Sequence, residues 1–198
     1  MWYSKRKSDM KNFMPTLFWL TGLSGAGKTT LGILLTKKLR DRGYPVVFLD
    51  GDTLREIYNN RFGHSKEDRL EASVAYTRLC KLLIEQKVHV VCATISMFYK
   101  IQSWNRENIR NYIEIFVDVP LSDLIKRDSK NIYSRGNGNE TGNIVGVDIE
   151  PEIPKNPDIV IKNGTDTIID NHVNLILDIF NSKLVENSKC GQHGIIQS

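Results

Sequence analysis

"FWLTGLSGAGKTTL", residues 18–31, sets an apolar run against a loop of three glycines, then a lysine and two threonines. Within it Gly22, Gly27, Lys28 and Thr29 keep the spacing G-x-x-x-x-G-K-[ST]. Glycines let successive backbone N–H groups curl around phosphate oxygens. Lys28 adds a point charge for the β- and γ-phosphates, the Thr29 hydroxyl can ligate Mg²⁺, and the helix that follows offers its positive end. Gly22, Leu23, Ser24, Gly25, Ala26, Gly27, Lys28, Thr29 and Thr30 are therefore the expected contacts of a nucleoside triphosphate, ATP, with Mg²⁺. The bland alternative is a glycine turn beside a chance lysine. It does not account for the motif falling between a strand and a helix, as the mechanism requires.

Outward from this loop, short β-like runs alternate with helical patterns. "TLFWL" (16–20), "VVFLD" (46–50), "HVVCATIS" (89–96), "YIEIFVDV" (112–119) and "PDIVI" (157–161) read as strands. Residues 29–40, 66–86 and 166–180 carry apolar side chains three, four and seven apart, the stripe of a helix packed on one face. In the second of these the expected stripe is Ala72, Ala75, Leu79, Leu82 and Leu83. Such alternation predicts an α/β fold, a P-loop NTPase-type parallel sheet with helices on both faces. "SRGNGNETGN" (134–143) has no apolar residue and is expected to be a mobile lid, spanning about 130–148 with its flanks. A basic arm over 1–14, a P-loop domain over 15–182 and a loose polar tail over 183–198 complete the expected organisation.

With 198 residues, 40% hydrophobic and 25% charged, the chain suits one well-buried domain. A net charge of +4 suits an anionic ligand and is too mild for a nucleic-acid partner. No apolar run reaches the roughly 20 residues of a membrane span. The basic start lacks the apolar stretch of a signal peptide. Cys80, Cys92 and Cys190 have no metal-ligand spacing. The first two lie in apolar segments as expected reduced core residues, which points to the cytoplasm.

The second strand runs into "LDGDTLRE" (49–56), placing Asp50 and Asp52 at the carboxyl end of a parallel strand, where such sheets bind ligands. An acid there can orient an acceptor hydroxyl, take its proton, or hold Mg²⁺ through water. Arg55, one turn on, can pair with an acceptor phosphate. The bland alternative is a helix cap by Asp52 with a solvated Arg55. The third strand ends in "TIS" (94–96) rather than in an acid, which argues against switch GTPases and for small-molecule kinases.

"GLSGAGKTTL", "LDGDTLRE", "SKEDRLE", "ATIS", "IFVDVPLSDLIKRD" and "VGVD" follow in one order. With them the chain resembles adenylylsulfate kinases over roughly residues 15–165. These enzymes move the γ-phosphate of ATP to the ribose 3′-hydroxyl of adenylylsulfate. The resemblance implies a Mg²⁺-dependent kinase of a small nucleotide acceptor, commonly a homodimer. It implies Asp50 or Asp52 as base or metal-shell acid, with Thr29 beside the metal. Arg55 and Arg69 would hold the acceptor's anionic end. Ser96 matches the family's phosphoserine position; direct in-line transfer needs no such intermediate, so it is expected as a contact. Arg127, Lys130 and Arg135 would sit on the lid, against phosphates and bases.

The chain departs from that pattern on the acceptor side. His64 in "GHS" stands where the family has phenylalanine, and Ile144 in "IVGVD" stands at a second one; those two rings sandwich the acceptor's adenine. Ala72 and Ala75 replace an amide and an arginine. After Ser96 the usual proline is missing, and Phe98, Tyr99 and Trp104 bring other aromatics. "TISMF", "WNREN" and the "VGVD" ending are similar to the cytidine diphosphoramidate kinases of surface-polysaccharide synthesis, a branch of the family. The expected acceptor is therefore adenylylsulfate or a cytidine diphosphoramidate-type nucleotide, with the site favouring the latter. A polynucleotide end kinase would share the donor loop but needs a basic groove with exposed aromatics. A non-catalytic nucleotide-binding protein would need no acceptor residues.

Overall fold

The computed structural model describes residues 13–127, 133, 143–164 and 168–190. Lys130, Arg135, residues 1–12 of the expected arm, residues 130–132 and 134–142 of the expected lid and residues 191–198 of the expected tail lie outside the described residues. In chain order the elements are β1 (Leu17–Thr21), α1 (Lys28–Asp41), β2 (Val46–Asp50), α2 (Gly51–Ile57), α3 (Lys66–Glu85), β3 (His89–Ala93), α4 (Tyr99–Asn108), β4 (Tyr112–Asp118), α5 (Leu121–Arg127), β5 (Ile159–Lys162) and α6 (Ile169–Cys190).

The five strands form one sheet in the order β2-β3-β1-β4-β5. Every pairing is parallel, with Leu20 against Ala93 on one side of β1 and Thr21 against Phe116 on the other. After β2 the chain returns to lay β3 beside β1, then crosses to β4 on the far side. The crevice at the carboxyl ends of β1 and β3 is the switch point where such sheets bind ligands.

Alternation along β1 splits the core into two layers, because successive side chains of a strand face opposite ways. Phe18 and Leu20 pack with Leu31, Leu35 and Leu39 of α1 and with Val173, Ile176 and Phe180 of α6. Leu17 and Trp19 pack with Tyr76 and Cys80 of α3 and Ile101 of α4. Each large apolar side chain buried this way contributes about 1.5–3 kcal/mol before entropy is charged. Cys80 and Cys92 are buried and reduced, as expected. No helix among the described residues is long and apolar enough to cross a membrane.

Three features differ from the sequence expectation. Residues 99–108, outside the helical patterns read from the sequence, form α4. Its Ile101, Gln102 and Asn105 are buried, and two of these three are polar, which blurs the apolar period. The last helix starts at Ile169 and continues past Ser182, where a loose tail was expected. Lys183 donates to Asp158 at 2.6 Å and Leu184 packs on the core, which holds the added turn in place. In α3 the buried residues are Ala72, Ser73, Tyr76, Thr77 and Cys80, whereas Leu82 is exposed. The inward stripe of α3 is thus rotated from the leucine-based one and is partly polar.

Candidate active site

The loop after β1 owes its path to its glycines. Gly22 has φ 148°, and a Cβ there would stand 2.4 Å from the Val117 carbonyl oxygen at the end of β4. Gly27 has φ 94° and caps α1 without a side-chain acceptor. The first turn of α1 carries no acid of its own, so its positive end faces the loop. Asn163, just after β5, donates to the Ala26 carbonyl at 2.8 Å and Tyr133 donates to the Ser24 carbonyl at 2.9 Å. Sequence reasoning missed both supports, because neither residue type carries a phosphate-loop signature. Lys28 is 8% exposed, and its ammonium donates to the Leu23 carbonyl at 2.7 Å, folded back over the loop it serves.

Asp50 ends β2 and joins two parts of the site. Its Oδ2 accepts the Thr29 hydroxyl at 2.7 Å, and its Oδ1 accepts the Asp52 amide at 3.0 Å, capping α2. The helix cap in this stretch is therefore Asp50 rather than Asp52. Asp52 stands on the first turn of α2 with its side chain in the wall of the cavity.

That cavity, about 290 Å³, lies over the carboxyl ends of β1, β2 and β3. Gly25, Gly27, Lys28, Thr29 and Thr30 form its donor side. Arg55, Arg69, Ala72, Ser73 and Tyr76 face it from α2 and α3, with Thr94, Ser96 and Phe98 after β3. Ile149 to Pro151 close a further side. That segment is tied to the turn before α4, where the Glu152 amide donates to the Met97 carbonyl at 3.1 Å and the Tyr99 amide to Glu152 Oε2 at 2.5 Å.

Both arginines are aimed by backbone carbonyls. Arg55 donates to the Phe62 carbonyl at 3.0 Å, and Arg69 to those of His64 and Asn143, each at 2.9 Å. Neither has a carboxylate partner among the described residues. Burial, then the neighbouring Arg55 charge, pulls the Arg69 pKa below the usual arginine range. Two cations held this close without a counter-charge form a site for an anion.

The remaining expected residues fall into three groups. Ser96 lies in the cavity wall, with its Oγ 2.8 Å from Ser73 Oγ. His64 and Ile144 do not line the cavity. His64 is exposed, and burial of its ring followed by the fields of Arg55 and Arg69 lowers its pKa. Ile144 packs against the α1 layer, while its neighbour Val145 faces the cavity. Arg127 ends α5, donates to the Asn163 carbonyl at 3.1 Å and does not line the cavity. Of the two replaced positions, Ala72 lines the cavity and Ala75 does not. Ser73 and Tyr76 were missed; they lie four and seven residues after Arg69, on its face of the helix, and that spacing was the available signal.

A parallel sheet of this order, a phosphate loop at its switch point and an arginine-lined wall opposite define a P-loop phosphotransferase with a hydroxyl acceptor. Residues 14–162 match the family model for adenylylsulphate kinase, and the chain belongs to that family. It is 39% identical to the cytidine diphosphoramidate kinase of Campylobacter jejuni, across 85% of this chain and 97% of that one. It is 40% identical to a probable adenylyl-sulfate kinase of Pseudomonas aeruginosa, across 77% and 71%. Among solved structures, the Mycobacterium tuberculosis APS kinase in complex with AMPPNP and APS superposes with a TM-score of 0.79 at 30% identity, across 85% of this chain and 98% of that one.

Proposed function

We propose that this chain transfers the γ-phosphate of ATP to the ribose 3′-hydroxyl of a small nucleotide, and that the acceptor is cytidine diphosphoramidate-type rather than adenylylsulfate. The observation that carries the reaction is one cavity with a complete phosphate loop on one side and two guanidiniums without carboxylate partners on the other. The acceptor preference rests on the rebuilt wall of α3, where Ala72 lies beside Ser73 and Tyr76, and on the near end-to-end match with the Campylobacter jejuni enzyme. The second reading, adenylylsulfate as acceptor, draws on the comparable identity, 40%, to the Pseudomonas aeruginosa protein.

The residues divide the work as follows. Lys28 leaves the Leu23 carbonyl for the β- and γ-phosphate oxygens. Thr29 and Asp50 are hard oxygen donors 2.7 Å apart and fit a magnesium ion whose other ligands are phosphate and water. Bound there with the nucleotide, Mg²⁺ would neutralise charge on the transferring phosphoryl group. Asp52, on the first turn of α2 in the cavity wall, is the acid placed to orient the acceptor hydroxyl and take its proton. The hydroxyl oxygen bonds to the γ-phosphorus as the bond from phosphorus to the ADP oxygen breaks. Arg55 and Arg69 hold the acceptor's anionic end, which fixes the 3′-hydroxyl in line.

ATP turnover should be low alone and rise when a nucleotide acceptor is added, with the product heavier by one phosphate at the 3′ position by mass spectrometry. Lys28→Ala should lower that turnover by about a thousandfold, the scale of a lost transition-state charge contact, with its circular dichroism unchanged. Turnover indifferent to every nucleotide acceptor would reject the reading.

A further inference from the structure

The wall opposite the phosphate loop holds polar groups that this division of work does not use. Tyr76 and Thr94 line the cavity and are 5% and 3% exposed. Neither hydroxyl has a hydrogen-bond partner among the described residues. Buried, unpaired hydroxyls destabilise a fold, and a purely structural residue would do better without the oxygen. The Tyr76 ring packs with Tyr58 and Phe62 at centroid distances of 5.9 and 6.3 Å, contacts a phenylalanine would keep. Packing thus explains the ring and leaves the oxygen unexplained.

The surroundings say what the oxygen could meet. Burial raises the Tyr76 pKa above the usual phenol range, and the charges of Arg55 and Arg69 act on it in the opposite sense, so the phenol is neutral and lies within their field. Beside it, Ser73 Oγ is 2.7 Å from the Arg69 carbonyl and 2.8 Å from Ser96 Oγ. A carbonyl only accepts, so the single Ser73 proton goes there and Ser96 supplies the proton shared by the two hydroxyls. Ser96 is left with lone pairs to offer a ligand. The guanidiniums can only donate, whereas the Tyr76, Thr94 and Ser96 oxygens accept.

We propose that Tyr76 is a specificity-determining residue, its hydroxyl hydrogen-bonding the polar end group of the acceptor nucleotide beside Arg55 and Arg69. The inference rests on the acceptor reading above and deepens it. A sulfate end offers only oxygens, which the arginines satisfy. An aminophosphoryl end adds an N–H donor, and that donor needs an accepting oxygen such as the Tyr76 hydroxyl. Thr94 extends the same row of hydroxyls.

The test is Tyr76→Phe, assayed beside the parent with ATP, cytidine diphosphoramidate and adenylylsulfate. KM for cytidine diphosphoramidate should rise about tenfold, the loss expected when a buried partner is left unpaired, and KM for ATP should not move. KM for adenylylsulfate should change less. The melting temperature should hold or rise, which separates a lost ligand contact from a damaged fold. A cytidine diphosphoramidate KM within about twofold of the parent's would overturn the assignment and leave the acceptor reading standing. A parent that phosphorylates neither acceptor would overturn the acceptor reading, and this inference with it.

Discussion

Asp50 shows how one side chain can settle several parts of a site. It ends a strand, caps the next helix and holds the phosphate-loop threonine, so the donor and acceptor halves share a single anchor. His89 is the corresponding anchor at the far end of the sheet, where it accepts the Thr16 amide at 2.9 Å through Nδ1. Phe13, Tyr44 and Phe180 pack around its ring with centroids 4.8 to 5.3 Å away. Burial in this apolar setting lowers its pKa from 6.5 to about 4. Between those two values the unfolded chain carries a proton on this ring that the folded chain does not. Stability should therefore be intact above pH 6.5 and fall by about 3 kcal/mol as the pH drops towards 4. Urea melts across that range should show the slope. His89→Leu should lose much of it while being less stable at neutral pH, since the Thr16 amide loses its acceptor. An unchanged slope in the variant would place the titration elsewhere.

Among the elements, α3 does most to shape the acceptor wall. Its start is fixed by a capping box in which Ser65 Oγ accepts the Asp68 amide at 3.1 Å and Asp68 Oδ2 accepts the Ser65 amide at 3.2 Å. Arg69 follows in the first turn, so the cap sets the direction of the guanidinium. Ser65→Ala should cost about 1 kcal/mol in a denaturant titration and should raise KM for the acceptor more than KM for ATP. Equal effects on the two would mean that the cap serves stability alone.

The same helix marks how far the sequence could be read. The phosphate loop, Asp50 and Arg55 were legible because phosphate chemistry demands particular residues at particular spacings, and Arg69 came from the family resemblance. The parallel sheet followed from the alternation of strands and helices, whereas its strand order did not. Tyr76 and Thr94 were not legible, because a polar residue on an inward helix face reads as a break in the apolar stripe until the cavity it borders is known. Helix α4 was hidden for the same reason, its inward face including Gln102 and Asn105. The adenine-stacking positions inferred from the family, His64 and Ile144, do not line the cavity, because Arg69 uses the His64 carbonyl and Ile144 turns to the α1 layer. A one-residue change of facing moves such a wall from Ile144 to Val145.

At the scale of the molecule, two cores hold a five-stranded parallel sheet whose switch point carries the phosphate loop and, across the cavity, the arginine-lined wall proposed for the acceptor. The donor half is spread over β1, α1 and β2, while the acceptor half is drawn from α2, α3 and the segments after β3 and before β5. On the proposed reading, that separation lets the acceptor wall change while the phosphate loop is kept. The most direct test is competition between cytidine diphosphoramidate and adenylylsulfate at equal concentration, with ATP in excess and both 3′-phosphorylated products quantified by mass spectrometry. The ratio of products gives the ratio of kcat/KM. The account predicts a ratio of about tenfold or more in favour of the cytidine nucleotide, the worth of one good hydrogen bond and its unpaired alternative. Efficient phosphorylation of adenylylsulfate with no cytidine product would contradict it.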